Sequence, residues 1–371
     1  MLKVLYLLNY AGKAGTERYV QTLVRYLKDE KIDAYFAYNE EGLLVERMRG
    51  MGVPVFRIEM RSRFDFRAAK ELAELCKRLG IDLIHCHYLR ENYIAMLSKR
   101  RNPGVRVVYT SHFILANDFM TRLSNRILSP KQDRVIAVCT RGKEQLIRNG
   151  LDPKKIRVIF NAVDPTVWSS PEKSTLREEF GIGKDEFVML CASRFAGDKG
   201  HKYLVDSLGL LKTLTDRPFR MVLAGDGPLL EETKEQVQRL GLQGNVVFAG
   251  FRQDIKNLFD GSDLYVNSSQ HEALSFLILE ALASGLPAVV TDMGGNNDIV
   301  NQEAGCGILV EYDNPESMAG AMKTLMEDKE LLARYRKGAR RIVEEKFHVR
   351  TMIEKTYEVY EAAMAGGPAE A

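Results

Sequence analysis

Residues 268–287, SSQHEALSFLILEALASGLP, decide the reading of the chain together with the apolar run 264–266 before them. The run is short and suits a buried strand, and 267–275 is polar and loop-like. From Phe276 on, Phe276, Leu277, Leu279, Leu282 and Ala283 fall at helical spacing, and Gly285 ends the pattern. Strand, loop and helix in that order place a helix N-terminus at the carboxyl end of a strand. That terminus attracts anions through its first amides and the helix macrodipole. Two carboxylates bracket the turn, Glu272 in the loop and Glu280 about one turn into the helix. The plain reading is a helix-start carboxylate and a solvated helix residue. The sharper one rests phosphate on the amides of Leu274, Ser275 and Phe276, while the carboxylates accept hydrogen bonds from ribose and sugar hydroxyls. A nucleotide-sugar has that layout.

The chain of 371 residues suggests about two domains, and 45% hydrophobic with 28% charged residues describes an ordinary globular protein. No run approaches the ~20 apolar residues that span a bilayer. The opening KVLYLL is too short for a signal peptide and leads into a Gly-containing loop. Five scattered cysteines without a CxxC pair read as reduced thiols in the cytoplasm. Residues 1–163 carry 30 Lys and Arg against 17 Asp and Glu. Of the totals 53 and 50, this leaves 23 against 33 for the rest, so the halves hold +13 and −10. The basic half is expected to meet something anionic.

Strands are expected at 3–8, 34–37, 54–58, 83–86, 106–110, 134–138 and 157–160, with helices between them at about 16–28, 41–50, 67–79, 91–100, 115–128 and 141–149. The pattern repeats with strands at 187–192, 220–224, 246–249, 264–266, 288–291 and 307–310. Its helices fall at about 200–215, 229–240, 254–260, 276–284, 315–327 and 330–346. Alternation of this kind means βαβ units and parallel sheets. The Pro- and Ser-containing 161–175 reads as a linker, which gives domains 1–163 and 175–348. A further helix is expected at about 351–364 and a frayed tail after it.

Ligands of open parallel sheets bind beyond the carboxyl ends of the strands, so polar residues that follow strands are the candidates. After the first strand, NYAGKAGTERYV offers Gly12 and Gly15 for a turn and Thr16 as a cap, but neither GxxxxGK[ST] nor GxGxxG. DLIHCHYLREN sets His85 and His87 on one face of a strand, with Tyr88 at its end. Further metal ligands at suitable spacing are lacking, and no DxD occurs, so no metal or cofactor is expected. His112 follows another strand, where its ordinary pKa range suits hydrogen bonding or proton traffic. The segment 113–131 is amphipathic and basic, with Arg122, Arg126 and Lys131. It reads either as core on one face or as a membrane-contacting helix, each cation near anionic lipid contributing ~1 kcal/mol. In ASRFAGDKGHKYLV, Arg194 and Lys199 supply a planar fork and a point charge, both suited to a diphosphate.

These motifs resemble the retaining family 4 glycosyltransferases of GT-B fold. The E-x7-E of Glu272 and Glu280 carries the resemblance, with GLPAVVTDMGG after it, the R…KG of Arg194 and Lys199, and the NAVD at 161–164. The resemblance implies two Rossmann-like domains facing across a cleft. It implies transfer of a sugar, with retention and without metal, from a nucleoside-diphosphate sugar of UDP or GDP type to a hydroxyl acceptor. A lipid-linked saccharide of envelope or exopolysaccharide synthesis is the leading acceptor, a small soluble one the alternative. A nucleotide-sugar 2-epimerase shares the architecture. His112, Arg194, Lys199 and Glu272 would serve catalysis. Gly225, Gly250, Phe251, Arg252, Leu274, Ser275, Phe276 and Glu280 would bind the donor. Gly15, Thr16, Glu17, His87 and Tyr88 would border the acceptor. Ala162 stands where the family carries Gly, and Asp298 where it usually has Glu. No nucleic-acid-binding motif is present, and a cytoplasmic location, at the inner face of the plasma membrane, would follow.

Overall fold

The computed structural model describes residues 1–12, 15–114, 118–170 and 173–366. Two compact units emerge: Met1–Asn161 with Arg350–Ala371, and Ala162–Val349. The stretch 161–175 expected to link them is therefore largely part of the second unit.

The first unit holds seven strands: β1 Leu2–Tyr10, β2 Ile32–Glu40, β3 Val55–Arg57, β4 Leu83–Cys86, β5 Arg106–Ser111, β6 Arg134–Ala137 and β7 Ile156–Val158. They pair in parallel in the order β3-β2-β1-β4-β5-β6-β7. Val4–Leu8 of β1 is fully buried, as expected of a strand covered on both faces. The second unit holds β8 Phe187–Ala192, β9 Phe219–Ala224, β10 Val246–Gly250, β11 Leu264–Asn267, β12 Ala288–Thr291 and β13 Gly307–Val310. Their order is β10-β9-β8-β11-β12-β13, again all parallel. The expected α/β class with two parallel sheets is present.

Each sheet has one point where the chain reverses its direction of strand addition, between β1 and β4 and between β8 and β11. Loops leaving two such neighbours diverge and open a crevice. The helix Val349–Ala365 returns to the first unit, where Tyr360 is fully buried. At Ala162 the backbone φ is not positive, so Ala in place of Gly carries no strain there. Asp164 caps the short helix Pro165–Ser169 by accepting from Thr166 N at 3.0 Å. Of the helix expected at 115–128, residues 115–117 lie outside the described residues, and the helix runs Phe119–Leu128.

Candidate active site

In the second unit the loops after β8 and β11 leave adjacent strands and are laced together. Ser268 Oγ donates to Lys199 O at 2.9 Å, and Gln270 N donates to Asp198 O at 2.8 Å. Gly200, at φ +68°, permits this approach, because a Cβ there would lie 2.1 Å from Ser268 O. The lacing brings Lys199 Nζ to 2.8 Å from Glu272 Oε1 and 3.6 Å from Asp198 Oδ2. Both side chains of the shorter pair are largely buried, Lys199 at 19% and Glu272 at 16% exposure. Arg194 is 70% exposed, with Nη2 3.9 Å from Asp198 Oδ1. Lys199, read from sequence as a diphosphate ligand, and Glu272, read as a sugar ligand, are thus partners of each other in this structure.

The helix expected at 276–284 is Phe276–Ala283, preceded by Ser275 at its N-cap. Its loop is braced from the neighbouring strand: Gly295 N donates to Ala273 O at 2.9 Å and Thr291 Oγ1 to Ser269 O at 2.6 Å. Leu274 is buried and Glu280 is 2% exposed. Burial pushes the Tyr265 hydroxyl well above its ordinary range, and Cys191, Glu272 and Glu280 add to the effect. The two carboxylates of the E-x7-E spacing therefore share the surroundings of one buried phenol.

Gly225 (φ +146°) lets the loop after β9 cross that after β8, since a Cβ would meet Ser193 O at 2.0 Å. Its N–H donates to Gly250 O at 2.7 Å, and Phe251 beyond it presents a ring that is 61% exposed. Arg252 differs from the expectation of a residue beside the nucleobase. Its guanidinium is shared between Glu179 and Asp254, with Nη2 3.0 Å from Glu179 Oε2 and Nε 2.8 Å from Asp254 Oδ1. These hydrogen bonds raise the guanidinium further and hold Asp254 well below the usual carboxylate range. A cation so occupied braces its loop and has little left for a base.

In the first unit, residues 13–14 of the Gly-rich loop lie outside the described residues. The helix Gly15–Leu27 begins directly after them, with Thr16 and Glu17 buried. Tyr88 stacks on Phe113 at 5.8 Å. His112 is 9% exposed, and its Nε2 lies 3.1 Å from Nδ1 of His87. His87 is fully buried. The direct acceptor contact expected of it is thus replaced by support of His112, against whose ring it stacks at 5.4 Å. Tyr19 closes the other side of His112, edge-on at 4.8 Å. Burial pushes the His112 pKa down to about 3 and that of His87 well below its ordinary value. His112 is therefore a neutral imidazole throughout the physiological range. It can give or take a hydrogen bond, and burial opposes the proton uptake that an ordinary imidazole shows near neutral pH.

Behind this pair runs a chain that sequence reasoning missed. His85 Nε2 is 2.7 Å from Thr110 Oγ1, and its Nδ1 is 2.6 Å from the hydroxyl of Tyr360 on the returning helix. Glu91, also missed, is fully buried and accepts from Asn9 N at the end of β1, and burial raises its pKa to about 7. The signal in sequence was an acid in the first turn of a helix whose later residues, Tyr93–Leu97, are apolar. Among the described residues no cluster of His, Cys, Asp and Glu has the geometry to hold a metal ion.

Comparison with known proteins decides the family. The description "Glycosyl transferases group 1" matches residues 172–342, and "Glycosyltransferase Family 4" matches 14–167. This chain belongs to glycosyltransferase family 4. Its fold is GT-B. The glycosyltransferase is 26% identical over 366 residues to an Escherichia coli UDP-Gal:alpha-D-GlcNAc-diphosphoundecaprenol alpha-1,3-galactosyltransferase, covering 94% of this chain and 93% of that one. It is 26% identical to the N-acetyl-alpha-D-glucosaminyl L-malate synthase of Bacillus anthracis, over 80% of this chain and 79% of that one. The crystal structure of Anabaena Alr3699/HepE in complex with UDP superposes with a TM-score of 0.87 at 22% identity, covering 97% of the glycosyltransferase and all of that chain.

Proposed function

We propose that the enzyme moves a sugar from a nucleoside-diphosphate sugar to a hydroxyl of a lipid-linked saccharide, with retention of configuration and without metal, at an anionic membrane surface on the cytoplasmic side. The observation that carries the donor assignment is the buried Glu280 one turn behind Ser275, which acts with Glu272 on the buried Tyr265 hydroxyl. Glu280 takes the ribose hydroxyls, and the amides of Leu274, Ser275 and Phe276 take phosphate at the helix start. Lys199 and Arg194 neutralise the departing diphosphate, the main electrostatic demand of the step. Glu272 holds the donor sugar. Gly225, Gly250 and Phe251 line the base.

The acceptor belongs to the first unit, where Thr16, Glu17, Tyr88 and His112 border it. The bond from the anomeric carbon to the diphosphate oxygen breaks, and a bond from that carbon to the acceptor oxygen forms on the same face. The acceptor proton passes to the departing phosphate oxygen, because neutral His112 serves only to hydrogen-bond. The E. coli relative's diphosphoundecaprenol substrate supports a lipid-linked acceptor. The L-malate synthase supports the second reading, a small soluble acceptor.

The test is a thermal-shift screen of nucleoside diphosphates. A ligand at 100 times its Kd adds about 2.7 kcal/mol of stability. One nucleotide should raise the melting temperature, and Glu280→Ala should weaken its Kd by ~1–3 kcal/mol, the scale of losing a buried charged acceptor. An unchanged Kd would remove Glu280 from the site. Activity should survive EDTA, because Lys199 and Arg194 replace the cation. Loss of turnover restored by Mg²⁺ would overturn the metal-free assignment.

A further inference from the structure

Four segments meet at the carboxyl end of the first sheet, and Asn9 of β1 ties them together. Its side-chain Oδ1 accepts from Asn39 Nδ2 of β2 at 2.9 Å and from Arg90 Nη1 at 2.9 Å. The same Arg90 nitrogen donates to Met60 O, beyond β3, at 3.0 Å, and Met60 N donates to Asn39 Oδ1 at 2.9 Å. The Asn9 backbone is held as well, its N–H donating to Oε1 of Glu91. Arg90 and Glu91 are neighbours in the first turn of the helix Leu89–Ser98, which follows β4. That helix start therefore reaches across the β1–β4 switch point and grips the strand that feeds the glycine-containing loop. Two residues on, the chain is pinned from the other side. Ala11 N donates to Glu40 O at 3.2 Å, and Ala11 O accepts from Leu44 N at 2.9 Å.

Helix packing alone does not call for Glu91. A buried carboxylate costs stability unless its oxygens are paired. Glu91 is fully buried, and its Oε2 has no hydrogen-bond partner among the described residues. What the charge supplies is a hydrogen bond from the Asn9 N–H roughly twice as strong as a neutral one. Arg90 is the cation that acts on the carboxylate, against the effect of burial. Cys86 of β4, Tyr109 of β5 and Tyr88 also lie in its field, and burial lifts all three above their ordinary ranges. None of them changes charge between pH 6 and 8, so Glu91 is the group in this cluster that does.

We propose that Glu91 and Arg90 are positioning residues of the transfer reaction. The carboxylate on the Asn9 N–H and the guanidinium on the Asn9 side chain fix the chain that leads from β1 to Thr16 and Glu17, and with it the border of the acceptor. The inference rests on the reading of Thr16 and Glu17 as acceptor residues, but half of its test needs neither donor nor acceptor.

Amide exchange reads the clamp directly. Protection of the Asn9 N–H, corrected for the intrinsic exchange rate, should rise about fivefold from pH 6 to 8 as the carboxylate forms. It should stay level in Glu91→Gln, which keeps the shape and an acceptor oxygen without the charge. Kinetics read its use, with UDP-galactose and GlcNAc-diphosphoundecaprenol, the E. coli relative's substrates, as probes. At pH 8 Glu91→Gln should raise the acceptor KM about fivefold with kcat and the donor KM little changed. At pH 6, where wild type is protonated too, the two proteins should converge. Arg90→Gln should move the midpoint of the exchange profile to higher pH, because the guanidinium favours the charged carboxylate. Arg90 is partly exposed, so this variant carries the test even if Glu91→Gln does not fold. Wild-type protection at Asn9 that ignores pH overturns the proposal. So does a Glu91→Gln defect of equal size at pH 6 and 8, which marks a purely structural role. If the exchange behaves as expected and wild type leaves the probes untouched, the reading of function fails and the clamp stands.

Discussion

Lys199→Ala should lower kcat about 10²–10³-fold, the scale of losing one preorganised charge from a site of developing negative charge. Two effects combine. The first is the missing cation at the diphosphate. The second comes from Glu272, 2.8 Å from Lys199 Nζ and only 16% exposed. Without the lysine, this carboxylate faces the phosphates uncompensated, and a half-buried site screens that repulsion weakly. Arg194→Ala should cost less, because a side chain 70% exposed already shares its field with water. Since Lys199 and Glu272 are in contact, the double variant Lys199→Ala/Glu272→Ala should lose less than the two single effects combined. Steady-state kinetics at saturating donor decides the matter. Lys199→Ala retaining kcat within about threefold of wild type would remove it from the chemistry, which asks several kcal/mol of such a charge.

Acidification from pH 7 to 5 should destabilise the first unit. His85, His87 and His112 are neutral when folded, their pKa values held below 6.5 chiefly by burial. The unfolded chain takes up protons below pH 6.5 that the folded chain cannot. Their contribution is therefore present above that pH and lost beneath it, at about 1.4 kcal/mol per histidine per pH unit. At pH 5 His112 alone, held at about 3, costs about 2 kcal/mol, and His85 and His87 add to it in the same direction. Glu91 runs the other way. Burial raises its folded pKa from 4.5 to about 7, so its contribution is lost as pH rises through 7 and about 2 kcal/mol returns on going down to 5. The histidines prevail. Melting followed by circular dichroism should show a lower Tm at pH 5, with faster amide exchange in β4 and β5. An unchanged Tm, or a ring signal of any of these histidines titrating near 6.5, would refute the account.

Much of the architecture was legible in sequence because parallel strands covered on both faces are plain apolar runs, and β8 and β12 needed nothing more. β2 was read too short, at 34–37, since Asp33 and Asn39 interrupt its apolar run near its two ends. The helices Pro165–Ser169, Leu176–Glu179 and Asn296–Ile299 were missed because a single turn has no period to detect. The donor-side signature was local, held in residues a few positions apart on either side of a turn. What escaped was long-range. Arg252 looked available until Glu179, 73 residues away, closed on it, and His85 finds its partner Tyr360 across 275 residues. The helix after residue 118 showed its amphipathicity in sequence. Only Asn149 and Tyr93, which hold Asn125 on its polar side inward, reveal which side faces out.

The returning helix has a consequence for how the protein is made. Tyr360 fills the space against His85 and Tyr6 inside the first unit, yet it leaves the ribosome only after the whole of Ala162–Val349. At 5–20 residues per second the first unit waits roughly 10–40 s with that slot open. The second unit, contiguous in the chain, can complete itself in that interval. Synthesis order and folding order are then reversed for the two units. Chains cut short just before Arg350 would release a finished second unit attached to a first unit that cannot close, with the core around Tyr6 and His85 left open to water and to chaperones.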